Sequence, residues 1–156
     1  ADRREDDVRY RRLETIRQLA EAGIPAAVMV APVIPGLNDS EIEAILAAAR
    51  EAGATEAGYV ALRLPLEIKT LFREWLEAEV PDRASRVIKL VQSMHGGRDY
   101  RAEFGLRQKG SGPYAGQIAQ RFRLATRRLG LNERKLTLRT DLFTPPTPPG
   151  AQMRLL

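Results

Sequence analysis

The sequence predicts an α/β protein, and three observations predict it. Residues 24 to 31, IPAAVMVA, are an uninterrupted apolar run of strand length, flanked by Gly23 and by a proline-rich turn. Residues 57 to 64, AGYVALRL, are a second run of strand character. Between them the apolar residues recur at helical spacing. Strand, helix and strand in this order make a βαβ unit, which implies parallel strands and a right-handed crossover.

The elements follow in order. Residues 6 to 22 read as a helix, with Leu13, Ile16, Leu19 and Ala20 at helical spacing, Glu14 placed to pair with Arg17, and Gly23 suited to the C-terminal cap. The strand over 24–31 is apolar throughout, so burial on both faces is expected. Asp39 or Ser40 then caps a helix to about Arg50, with Ile42, Ile45, Leu46 and Ala49 on one face and Gly53 closing it. Past the strand at 57–64, residues 66–80 and 81–94 form a helical hairpin, with Pro81 at the first position of its second helix. Trp75 and Phe72 read as core residues of that hairpin. Residues 95 to 113, HGGRDYRAEFGLRQKGSGP, are glycine-rich, basic and aperiodic, as a long loop would be. A helix at 114 to 129 follows, with Ile118, Phe122, Ala125 and Leu129 as its apolar stripe. A short third strand is expected at 135–139, and the tail at 144–156 is proline-rich and extended.

Composition excludes several function classes. A 44% hydrophobic and 29% charged chain of 156 residues is that of a globular protein, not a disordered one. No apolar run approaches the ~20 residues of a membrane span, so no membrane partner and a cytoplasmic location are expected. With no cysteine, thiolate catalysis, disulfides and cysteine-ligated metal are ruled out within this chain, and the single His95 leaves no histidine-rich site. His95 ends a helix, where a cation would favour the negative pole of the dipole. The net charge of +5, carried mostly by arginine, suits phosphate-bearing or acidic partners, or else solvated helix faces. Ala1 in place of an initiator Met fits a processed or truncated chain.

The topology poses a problem. Two apolar parallel strands cannot hide their faces and edges with the helices available. The chain therefore either pairs with another copy of itself or completes a larger α/β domain.

The residues after the first strand carry a resemblance. Gly23-Ile24-Pro25, then VMVAPVIPGLND, then GATEAGYVALRLPLE resemble the last third of the partial (β/α)6 barrel of radical S-adenosylmethionine enzymes. The turn Pro32-Val33-Ile34-Pro35-Gly36-Leu37-Asn38-Asp39 is similar to that family's fifth-strand pattern of small residue, x, Ile, x, Gly, x, x, acid. Pro32 stands here for the usual glycine and Asp39 for the usual glutamate. The stretch GGRDYRAEFGLRQKGSGPYAGQIAQRF, with LRTDLF further on, resembles the C-terminal extension of the spore photoproduct lyase-like, "DNA repair photolyase" grouping. The resemblance implies residues 1–65 as the C-terminal portion of the barrel, 66–94 as a helical hairpin, and 95–143 as a basic loop-and-helix extension.

It also implies a chemistry: reductive cleavage of S-adenosylmethionine to a 5′-deoxyadenosyl radical that abstracts a hydrogen atom from substrate. The family holds a [4Fe–4S] cluster through three cysteines near its first strand. This chain lacks them, so the cluster would be held by residues outside it, and the chain alone is expected to be inactive. By resemblance, Pro32, Val33, Ile34, Gly36, Asn38 and Asp39 would line the cofactor. Val33 and Ile34 would wall the adenine, Gly36 would permit close approach, and Asn38 and Asp39 would either cap the helix or bond to ribose or adenine edges. Val60, Ala61, Leu62 and Arg63, at the end of the sixth barrel strand, would contact adenine or an anionic group, with an Arg63–Glu67 ion pair as the alternative. Tyr59, Arg98, Tyr100, Arg107 and Lys109 are substrate-side candidates, mixing cations with aromatics as a surface for single-stranded nucleic acid would. Tyr59 as plain core and the loop as a tethered surface segment are the alternatives.

Three functions are consistent with this reading. One is the cofactor- and substrate-side portion of a radical S-adenosylmethionine enzyme, partnered by the N-terminal part of the same barrel. Another is a non-catalytic module binding nucleic acid through the basic loop. The last is a helical assembly domain whose strands a partner completes.

Overall fold

The computed structural model describes residues 3–133 and 140–144. Helix makes up about 53% of the described residues, around one small parallel sheet. In order the elements are α1 (Arg3–Glu21), β1 (Ala27–Val33), a 3-10 turn (Asp39–Glu41), α2 (Ile42–Glu51), β2 (Glu56–Ala61), α3 (Ile68–Glu79), α4 (Pro81–Met94) and α5 (Gly112–Arg128). The chain is thus α/β, with the parallel pair the sequence predicts. The expected third strand at 135–139 and the tail beyond Thr144 lie outside the described residues.

The helices end where glycine lets them. Gly53 has φ +105°, and a Cβ there would come within 2.5 Å of the Ala20 Cβ, so glycine both stops α2 and lets α1 pack against it. Arg17 pairs with Glu14 on α1, as their spacing predicts. Pro81 opens α4 at its N-terminal turn.

Two apolar clusters hold the fold. In the first, Val30 and Val33 of β1 and Tyr59 and Ala61 of β2 pack with Ile42 and Leu46 of α2 and with Ile118, Phe122 and Ala125 of α5. In the second, Leu76 of α3 and Val87 and Val91 of α4 gather around Leu64, joined by Ile34, Leu37, Leu62, Phe72 and Tyr100. Trp75 stacks beside Phe72, ring centroids 5.9 Å apart, but is 45% exposed. Its reading as core does not hold: the α3–α4 cluster that Phe72 joins does not include it.

The strand expected at 24–31 begins three residues later, at Ala27, and it is buried on one face only. Val28 and Val30 face α2 and α5, whereas Ala27, Met29 and Ala31 are exposed, Met29 by 61%. No described helix covers that second face. The expectation of burial on both faces fails for this reason.

The two sheet edges also differ. The far edge of β2 is closed: the Ala57 N–H donates to Asn132 Oδ1 at 2.8 Å, Asn132 Nδ2 donates to the Ala57 carbonyl at 3.0 Å, and the Ala61 N–H donates to the Gln108 carbonyl at 2.7 Å. Among the described residues nothing pairs with the far edge of β1. Beside it runs a groove of about 550 Å³, walled by Leu13 and Ile16 of α1, Val28 and Val30 of β1, and Ile45 and Ala48 of α2.

Candidate functional site

The candidate site is the turn after β1 together with the end of β2. The turn is held by its own side chains. The Ala31–Pro32 peptide is cis. The Ile34 N–H donates to Asn38 Oδ1 at 2.7 Å, while Asn38 Nδ2 donates to the Pro32 carbonyl at 3.1 Å. The Gly36 N–H donates to Asp39 Oδ1 at 2.9 Å. Asp39 Oδ2 accepts from the Tyr114 hydroxyl at 2.7 Å and faces Arg121 Nη1 at 3.7 Å. Arg121 reaches further, to the Asp39 carbonyl at 2.9 Å and to Glu43 at 2.6 Å. Asp39 and Glu43 are thereby clamped to α5, and the hydrogen bond from Arg121 holds the Glu43 carboxyl below its ordinary range.

This changes the reading of the turn. Asp39 does not cap α2. No side chain makes a capping bond at its start or at the 3-10 turn before it, and the Asp39 carboxylate points back into the turn and across to α5. Ser40 makes no capping bond either. Gly36 has φ +74°, and a Cβ there would meet Leu90 Cδ1 at 2.8 Å. The glycine is required by the backbone and by α4. Val33 is buried, and Ile34 packs half-buried into the α3–α4 cluster. Pro32 is the exposed member of the set.

At the end of β2 the residues divide. Ala61 is buried, and Leu62 packs with Ile34 in the second cluster. Val60, half-buried, lies on the sheet face that no described helix covers, beside Met29 and Ala31. Arg63 is exposed and turns to Tyr100, not to Glu67: its Nη2 donates to the Tyr100 hydroxyl at 3.1 Å and its guanidinium lies 5.9 Å from that ring's centre.

His95 sits behind this pair. It is 1% exposed, its ring edges onto Tyr100 at 6.2 Å, and its Nδ1 is buried with no hydrogen-bond partner among the described residues. Burial lowers its pKa, so the imidazole is neutral near pH 7. A cation at the helix end is therefore not its role.

The basic loop is tethered, by Arg73 to Asp99 at 2.8 Å and by Gln92 to Asp99 at 2.9 Å. Its candidates scatter. Lys109 lies 5.4 Å from the Tyr59 ring centre, Arg107 lies 5.5 Å from the ring centre of the exposed Phe104, and Arg98 is exposed. The sequence missed Tyr114, Arg121 and Leu90, which fix the turn from far along the chain. Tyr114 and Arg121 share one face of α5 at i and i+7, the one local signal for that pair, and nothing local marks Leu90.

No family model, curated protein or solved structure matches the chain. Among the described residues no group of acidic or histidine side chains is placed to hold a metal ion, and no helix is long and apolar enough to cross a membrane.

Proposed function

We propose that the chain is the C-terminal portion of a radical S-adenosylmethionine enzyme, with β1 and β2 as the last two strands of a partial (β/α)6 barrel. One observation supports it above the others. The sheet is closed at the β2 edge and covered by helices on one face, while among the described residues nothing covers the β1 edge or the opposite face. A terminal pair of barrel strands has this asymmetry: its last edge ends the sheet, its other edge awaits a neighbour, and its bare face is the barrel interior. The groove beside β1 is where the preceding strand would lie, beneath α1.

The parts then take roles. In a parallel barrel, ligands sit at the C-terminal strand ends. Pro32, Ala31 and Val60 would form an apolar wall there, and Arg63, presented by Tyr100, would meet a carboxylate or phosphate. Asn38 and Asp39 act indirectly, by fixing the turn. S-adenosylmethionine, when bound, supplies the radical chemistry. The chain has no thiolate to offer an iron–sulfur cluster, so the reading requires those ligands on the polypeptide that completes the barrel.

Anaerobic reconstitution with iron and sulfide tests this. The chain alone should stay colourless, and the polypeptide including the cysteine-bearing half should gain cluster absorbance and bind S-adenosylmethionine. Cluster absorbance stoichiometric with the chain alone, or a completed polypeptide that binds neither, would overturn it.

A further inference from the structure

A separate cavity of about 510 Å³ opens where β2 meets α5. Its polar lining comes from Tyr59, Lys109, Gln120, Arg123 and Asn132, and no carboxylate is among the described lining residues. Neither cation there is neutralised. Among the described residues Arg123 has no ion-pair partner, and the Lys109 ammonium rests on the Tyr59 ring, 5.4 Å from its centre.

Two further observations point to a ligand. Tyr59 is 7% exposed, and its hydroxyl is buried with no hydrogen-bond partner. A sequestered donor of that kind is costly unless something accepts its proton. Burial also raises the phenol's pKa, so near neutral pH it remains a donor. Gly116, on the same stripe of α5 as Gln120 and Arg123, borders the cavity, and a Cβ there would meet nothing within 4 Å. Glycine within a helix is unfavourable. Here no backbone angle or neighbouring atom demands it, and its effect is to keep the cavity open.

We propose that this cavity binds an oxyanion of the phosphoryl class, with Lys109 and Arg123 as charge partners and Tyr59 and Gln120 as neutral donors. A tetrahedral oxyanion offers several acceptor atoms, which matches a site made of donors and cations without an acid. The proposal stands apart from the cofactor reading, because the cavity lies on the helix-covered side of the sheet.

Amide chemical shifts of the chain, titrated with inorganic phosphate against sodium chloride at equal ionic strength, provide the test. Saturable shifts at Tyr59, Lys109, Gly116 and Arg123 are expected with phosphate only. The Lys109→Gln, Arg123→Gln double variant should bind at least tenfold more weakly. Gly116→Glu, which puts a carboxylate into the cavity while favouring the helix, should abolish binding with unchanged helical content. Parallel titrations with a nucleoside monophosphate and a short single-stranded oligonucleotide identify the source of the phosphoryl group by which binds more tightly. Phosphate shifts no larger than those with chloride, or a double variant that binds as the wild type does, would overturn the proposal.

Discussion

Asp39 shows how a single residue can be read correctly in type and wrongly in task. An acid eight residues into a strand-to-helix turn suggests a helix cap or a sugar ligand, because those are the local uses of a carboxylate. Its partners are instead Tyr114 and Arg121, which sequence spacing does not connect to it. Tyr114→Phe should cost about 1 kcal/mol, and Asp39→Ala about 2–3 kcal/mol, since it strands the Gly36 N–H and the Tyr114 hydroxyl. In chemical denaturation the double variant should cost clearly less than the sum of the two. Full additivity would deny the contact. His95 yields a pH dependence. Its folded pKa lies below the ordinary value of 6.5, because burial disfavours the imidazolium. Over the window between the two values the unfolded chain binds more protons, so His95 contributes stability that is complete above about pH 6.5 and is lost as pH falls through the folded pKa. Glu43 and Asp99, both lowered by hydrogen-bonded partners, extend the loss to more acid pH. The first phase should disappear in His95→Gln, followed by thermal melting from pH 7.5 to 4.5, and should persist there if His95 is not its cause.

At the scale of elements, most of the fold was legible. The sequence located the five long helices of the described residues, and Pro81 marked the break between α3 and α4. The apolar runs at 24–31 and 57–64 located both strands, because β-branched and apolar residues in short runs bounded by glycine and proline have few other uses. What the runs could not tell was coverage: an apolar strand looks the same whether helices cover one face or both. The turn illustrates the same limit. Gly36 reads in the sequence as permitting close approach of a cofactor, but the atom its missing side chain makes room for belongs to Leu90 on α4, more than fifty residues on. Gly36→Ala should therefore destabilise the protein by about 1–3 kcal/mol, through the left-handed backbone and the 2.8 Å approach to Leu90. Adding Leu90→Ala should remove only the steric part of that loss relative to Leu90→Ala alone. A melting temperature unchanged in Gly36→Ala would show that neither constraint operates.

The molecule as a whole is asymmetric in a way that its fold does not explain by itself. Among the described residues one sheet edge is closed by Asn132 and Gln108, the other is open beside an apolar groove, and one sheet face carries the exposed Met29. The sequence anticipated an incomplete sheet from strand count alone. It could not place the closed edge, since the side chain of Asn132 acts from 75 positions beyond Ala57. The barrel reading accounts for that asymmetry, and it commits the bare face near Val60 and Arg63 to the cofactor. The most direct measurement is S-adenosylmethionine titration of the completed, cluster-loaded polypeptide carrying Val60→Trp or Arg63→Ala. The account predicts affinity at least tenfold weaker in Val60→Trp and several-fold weaker in Arg63→Ala, with cluster absorbance unchanged in both. Wild-type affinity in both variants would contradict it.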